Sequence, residues 1–111
     1  MRGRLRKIML SKVPQADVVI TNPTHYAVAL KYKPGQDGAP VLLAKGVDHL
    51  AFKIRDLAKS SDIPIVEEPP LARALYFSVE VDTEIPEHMF KAVAQVLAYV
   101  YKVKDMKKKV G

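Results

Sequence analysis

The sequence predicts an α/β domain: a mixed four-stranded sheet, combining an antiparallel hairpin with a parallel crossover, surrounded by about four helices. Three observations predict it. Short apolar, β-branched runs at 16–21, 26–32 and 41–45 are separated by turn residues. A helix-period stripe over 47–60 lies between the third run and a fourth at 63–67, the pattern of a strand–helix–strand crossover. Helical segments at both ends complete the order α-β-β-β-α-β-α-α. With 111 residues the chain has room for one hydrophobic core and not two.

Each element has a local reason. Residues 4–12 read as a helix with Leu5, Ile8 and Met9 on one face and the charges opposite, stopped by Pro14. ADVVIT at 16–21 is a strand, and the four residues after it, Asn22 to His25, are too few for a crossover. The strand that follows must therefore return antiparallel. YAVALKY at 26–32 alternates, with Tyr26, Val28, Leu30 and Tyr32 on one face and Ala27, Ala29 and Lys31 on the other. KPGQDGAP at 33–40 carries two Gly and two Pro and reads as a loop. VLLAK at 41–45 is a third strand, with Gly46 as punctuation.

The clearest helix is 47–60. Val47, Leu50, Ala51, Ile54, Leu57 and Ala58 recur at helical spacing, and Asp48 is placed to cap it. IPIVE at 63–67 is a short strand with Pro64 near its start. Pro69 and Pro70 open a short helix, LARALYFSV. Pro86 opens the last helix, 86–102. His88, Lys91, Gln95 and Lys102 form a thin polar line on it, which predicts that most of its surface is buried. Tyr99 and Tyr101 are expected to lie half-buried with their hydroxyls in water.

The net charge of +6 is unevenly placed. Residues 1–12 carry +5 and residues 102–111 carry +4, whereas the body, 13–101, holds 8 basic and 11 acidic residues. A duplex-binding domain shows its basic face on the folded body. The distribution therefore argues against nucleic acid and suggests tethers beside an anionic surface such as lipid headgroups, or solvated tails. No cysteine is present, which excludes disulfides, thiolate metal sites and a cysteine nucleophile. No apolar run reaches the roughly 18–20 residues of a membrane span, and the basic start lacks the apolar stretch of a secretory signal.

Little conventional chemistry remains. There is no phosphate-binding glycine loop and no G-x-S-x-G. His25, His49 and His88 lack metal-ligand spacing, so no metal and no cofactor is expected. Glu67 and Glu68 are adjacent and would point to opposite faces of a strand. Asn22-Pro23-Thr24-His25 stands apart. On its own it reads as a plain turn, since Asn starts turns and Pro presets their second position. Its chemistry is nevertheless unusual. Asparagine ordinarily deamidates through attack by the next backbone nitrogen, and Pro23 has no N–H for that attack. The reverse attack stays open: the Asn22 amide nitrogen closes on Asn22's own carbonyl carbon and expels Pro23. A turn that holds the amide near that carbon, with His25 relaying the proton and Thr24 holding the loop, would assist it.

TNPTHYAVALKY resembles the self-cleaving loop of the FlhB/YscU family, the export-apparatus switch proteins of flagella and type III secretion injectisomes. LLAKGVDHLAFKIRDLA, IPIVEEPPLARALY and EIPEHMFKAVAQVLAYVY resemble that family's cytoplasmic domain in the same order, over residues 4–103. EPPLARALY favours the flagellar branch. The resemblance implies a cytoplasmic domain of a bacterial inner-membrane protein, with membrane helices upstream of residue 1. Residues 1–15 then form a basic linker helix, 16–103 the self-cleaving domain and 104–111 a basic tail. By position, Asn22 is the cleaving residue, Pro23 the leaving side, and Thr24 and His25 the supporting residues. The resemblance further implies that the cut would be a single autocatalytic event without turnover, and that it would switch which substrates are exported.

The partners so implied are exported flagellar or secretion proteins with their chaperones, a length-sensing switch protein, and other membrane subunits of the export gate. Arg2, Arg4, Arg6 and Lys7 are expected to face anionic lipid. Ala39 and Pro40 in the small apolar loop, with Ala94 and Leu97 on the last helix, are expected to form a shallow recess for a hydrophobic segment of an exported protein. The competing readings are a basic nucleic-acid-binding module and a docking platform whose cleavage is incidental.

Overall fold

The chain forms a mixed sheet with helices on both faces. The structure is a computed structural model and describes residues 3–32 and 38–110. Helix α1 (Gly3–Leu10) leads through a 3₁₀ turn at Val13–Gln15 into β1 (Val18–Asn22). There follow β2 (Tyr26–Lys31), β3 (Val41–Val47), α2 (His49–Ser60), β4 (Ile65–Glu67), α3 (Pro69–Ser78), β5 (Thr83–Glu84) and α4 (Phe90–Val110). The sheet has five strands in the order β4-β1-β2-β3-β5. The short β5, absent from the sequence reading, pairs antiparallel with β3 through Val41 and Leu42. Two residues carry no periodicity, so only the pairing reveals it.

The crossover through α2 returns the chain parallel, but β4 lands beside β1 rather than β3, with Val19 opposite Ile65 and Thr21 opposite Glu67. Two strands are thereby skipped, and β1 becomes an inner strand held on both sides. Val18, Val19 and Ile20 are wholly buried.

Alternation along the strands sorts two cores. Val18, Ile20, Val28, Leu30 and Leu42 pack against α3 and α4. Val19, Ala27, Ala29, Leu43 and Ala44 pack against α1 and α2. Leu43 and Ala44 face the same side although adjacent, because the β2–β3 register shifts between Ala29 and Leu30. The extra residue is a bulge that resets the alternation. On α2 the apolar stripe is as expected: Ala51, Ile54 and Ala58 are buried on the sheet. Burying Ile54 completely is worth about 1.5–3 kcal/mol.

Several local expectations change. Strand β3 runs through Gly46 to Val47, so Val47 is an exposed strand residue and not the first of the helical stripe. Asp48 occupies the cap position of α2 without a side-chain cap hydrogen bond. Its backbone sits at φ 52°, ψ −116°, the conformation of the first central residue of a type II′ turn, which favours glycine. At the other end of α2, Asp62 adopts φ 57° while Ile63 N–H donates to the Ala58 carbonyl at 2.8 Å. That left-handed closure reverses the chain toward β4.

Helix α4 is one-sided. Val93, Val96, Leu97 and Val100 are buried, whereas Phe90, Ala92, Ala94, Ala98 and Tyr99 are exposed. A small domain offers it only one face of the sheet layer to cover. A 3₁₀ turn at Glu87–Met89 precedes it, and the helix runs on past 102, its expected end, to Val110. Lys12 and Asp82 form an ion pair at 2.6 Å that ties the N-terminal linker to the α3–β5 turn.

Candidate functional site

Asn22 is the last residue of β1 and pairs with Tyr26, the first of β2. The intervening residues, Pro23, Thr24 and His25, are a tight turn closed by the His25 N–H donating to the Asn22 carbonyl at 3.0 Å. That carbonyl belongs to the Asn22–Pro23 peptide bond. The Thr24 hydroxyl donates to Asn22 Oδ1 over a long 3.4 Å. Thr24 and His25 are exposed, and Asn22 and Pro23 are half-buried. The His25 ring lies 5.9 Å from that of Tyr26, which in turn packs on Tyr76 and Phe77 at 4.9 and 5.6 Å.

The two sides of the Asn22–Pro23 bond are held by different layers. On the upstream side the sheet grips: the Thr21 carbonyl accepts from Glu68 N–H at 3.0 Å, and Thr21 is the sole buried polar side chain among the described residues. On the downstream side helix α2 grips: the His25 carbonyl accepts from Asp48 N–H at 2.9 Å, and the Pro23 carbonyl accepts from Arg55 Nη1 at 3.2 Å. Nothing in the sequence signals these anchors. A hydrogen bond between a loop carbonyl and a residue 32 positions away leaves no local pattern.

Chemically, the arrangement places a hydrogen-bond donor on the carbonyl oxygen that gains charge when its carbon is attacked. At 3.4 Å the Thr24 hydroxyl lies beyond the usual O–H···O distance from Oδ1, so it holds the Asn22 side chain only loosely. No group of three or more His, Cys, Asp or Glu side chains among the described residues suits a metal ion.

The other predicted residues fall into two places. Gly38, Ala39 and Pro40 meet Phe90, Ala94, Leu97, Ala98, Tyr32 and Tyr101 around one recess of about 330 Å³. Ala39, Pro40, Ala94 and Leu97 are thus brought together. Tyr101 differs from expectation: its hydroxyl is buried without a partner. Burial first, then the Asp17 carboxylate and Tyr32, hold that hydroxyl above the ordinary phenol value. Arg4, Arg6 and Lys7 are exposed on α1, and Arg2 lies outside the described residues, as do 33–37 of the expected loop. Leu5 and Ile8 are also exposed, at 58% and 49%, so the apolar face of α1 does not cover the domain; Met9 alone is buried there. No helix among the described residues is long and apolar enough to cross a membrane. His49 and His88 are exposed and far from the turn in sequence.

Comparison with known proteins bears on the whole chain. The family described as FlhB HrpN YscU SpaS matches residues 1–100. The flagellar biosynthetic protein FlhB of Bacillus subtilis is 60% identical over 97 residues, 87% of this chain and 27% of that protein. The Escherichia coli protein of the same name is 45% identical over 103 residues, 93% of this chain and again 27% of its relative. The chain therefore spans little more than a quarter of the length of these relatives. Among solved structures, the cytoplasmic domain of FlhB from Shewanella putrefaciens superposes with a TM-score of 0.89 at 50% identity, over 96% of this chain and 81% of that one. An EscU C-terminal domain bearing an asparagine-to-alanine substitution gives 0.77 at 35% identity, over 83% and 92%.

Proposed function

The chain belongs to the FlhB HrpN YscU SpaS family, and from that premise we propose that it is the cytoplasmic domain of a flagellar protein-export component that cuts itself between Asn22 and Pro23. The observation that carries the reading is the turn hydrogen bond from His25 N–H to the Asn22 carbonyl at 3.0 Å. It lies on the one carbonyl whose attack by a side-chain amide has no competing deamidation route, because Pro23 lacks an N–H.

The proposed step is intramolecular. Asn22 Nδ2 bonds to the Asn22 carbonyl carbon while the bond from that carbon to Pro23 nitrogen breaks. The proton lost by Nδ2 ends on the Pro23 nitrogen, relayed by the exposed His25 imidazole or water. The products are a succinimide at Asn22 and a free proline amine. His25 N–H stabilises the oxyanion, a contribution worth about 10²–10³ in rate where such a donor is removed from an enzyme. One cut exhausts the reaction, so the chain is not a turnover enzyme. Both pieces stay together, because β1 lies between β4 and β2 with its apolar side chains buried.

In the parent protein the domain would sit beneath the inner membrane, with Arg2, Arg4, Arg6 and Lys7 toward anionic headgroups. The exposure of Leu5 and Ile8 beside those charges supports this orientation. The altered turn would change which clients, with their chaperones, are admitted, in response to a length-sensing partner and alongside other gate subunits. The recess around Ala39, Pro40, Ala94 and Leu97 would receive a hydrophobic client segment. Ala39→Asp should then reduce client crosslinking and export with melting temperature and cleavage unchanged; unchanged export removes the recess from the account. A nucleic-acid module is disfavoured by the acidic body, residues 13–101.

Intact mass spectrometry under denaturing conditions tests the chemistry. Wild type should give fragments 1–22 and 23–111, and Asn22→Ala a single folded chain. The same fragments from Asn22→Ala would exclude asparagine attack. Secretion by a strain carrying the uncleavable variant separates a switch, which should misdirect late substrates, from a platform with incidental cleavage, which should not.

A further inference from the structure

Arg55 has an unusual commitment. It is half-buried on the second turn of α2, and its guanidinium donates to the Pro23 carbonyl at 3.2 Å. Among the described residues the Lys12–Asp82 contact is the only ion pair, so Arg55 has no carboxylate partner. Its carbon stem is positioned by Phe52 one turn earlier, with the guanidinium 5.3 Å from the ring centre. A cation that forgoes carboxylates for one loop carbonyl holds that carbonyl with a charge-assisted bond, roughly twice as strong as a neutral one.

We propose that Arg55 is a positioning residue for self-cleavage: it fixes the leaving side of the Asn22–Pro23 bond against helix α2 while the sheet fixes the attacking side. The inference rests on the self-cleavage reading. Asn22 is locked by β1 and by the Thr21–Glu68 contact. Without Arg55, Pro23 is held only through the turn itself and, two residues on, by Asp48 N–H on the His25 carbonyl. The Pro23–Thr24 peptide plane loses its hold on α2, and the Pro23 ring that carries the leaving nitrogen can then shift relative to the Asn22 side chain, although His25 N–H still holds the Asn22 carbonyl. An amide nitrogen is a weak nucleophile, so its attack depends on a near-attack geometry, in which a misplacement of about 1 Å costs on the order of 10²-fold.

Arg55→Met keeps the stem over Phe52 and removes the donors; Arg55→Lys restores one point charge without the planar fork. Each full chain is made by pulse-labelled cell-free synthesis, and fragments 1–22 and 23–111 are followed with time. Thermal melting is measured in parallel on the Asn22→Ala background. Arg55→Met should slow cleavage roughly ten- to hundredfold, Arg55→Lys should recover part of the rate, and the melting temperatures should agree. Cleavage by Arg55→Met at the wild-type rate overturns the inference alone. Equal slowing in both variants with a matching loss of stability also overturns it, since the role is then structural. A wild-type chain that does not cleave, like Asn22→Ala, overturns the self-cleavage reading and this inference with it.

Discussion

Gly46 lies within β3 opposite Ala27, where α2 begins its approach to the sheet. A Cβ at this position would stand 2.7 Å from Leu50 Cγ, 2.9 Å from Leu50 Cβ and 3.0 Å from the Leu50 backbone carbon. The Cγ contact can be relieved by a rotamer change, but the other two atoms move only with the first turn of α2. Reaching ordinary carbon–carbon contact near 3.5 Å requires that turn to retreat by roughly 0.5 Å or more. The same turn carries the Asp48 N–H, now 2.9 Å from the His25 carbonyl. A retreat of that size takes the bond toward the limit of useful geometry. Because two of the three contacts are with atoms that cannot rotate away, Gly46→Ala should cost about 2–3 kcal/mol, the upper part of the usual range for overpacking; less the roughly 0.5–1 kcal/mol that alanine recovers over glycine in a strand, the net loss is about 1–2.5 kcal/mol. At about 4–8 °C per kcal/mol for a domain of about this size, the melting temperature should fall by several degrees to more than ten. Calorimetry on the Asn22→Ala background keeps the chain covalently whole, and the cleavage time course is read separately without that substitution. Cleavage should slow along with the loss of stability, because α2 carries the downstream anchors. A melting temperature within about a degree of the parent would refute the argument that Gly46 is kept small by α2.

Three further outcomes follow from single contacts. Asp48→Gly should stabilise the domain by about 0.5–2 kcal/mol in denaturant unfolding, because relief of the strained backbone exceeds the added unfolded-state entropy; a lower midpoint would contradict it. Lys45 Nζ donates to the Tyr76 and Val79 carbonyls, each at 2.8 Å, at the end of α3. Lys45→Met should cost about 1.5–3 kcal/mol and speed amide exchange at the C-terminal turn of α3. Tyr101 is held protonated by burial, with Asp17 and Tyr32 adding to the effect, so its folded-state value lies above the ordinary 10.0. Its contribution is fully present below that ordinary value and is lost as pH rises through the raised one. Tyr101→Phe should flatten the alkaline loss of stability while leaving neutral-pH stability unchanged or slightly higher, as measured by urea midpoints across pH.

Periodicity and punctuation were enough to read most elements. The alternation of 26–32, the stripe on α2 and the paired prolines before α3 are local properties of a chain whose side chains must separate oil from water. The Asn22-Pro23 junction was legible for a related reason: its chemistry is set by bonded neighbours, above all the missing Pro23 N–H. What the tertiary structure decided is everything that depends on which element lies beside which. Strand β5 exists only as a partner to β3, and β4 joins β1 because α2 carries the chain across two strands. One face of α4 is left open because the sheet supplies a single surface for it. Gly46 read as punctuation and proved to be a packing constraint, and Asp48 read as a cap and proved to be a strained turn residue. The grip of Asp48 and Arg55 on the turn joins residues far apart in sequence. No periodic pattern encodes such contacts, since each is chosen by distance in the folded chain and not by spacing along it.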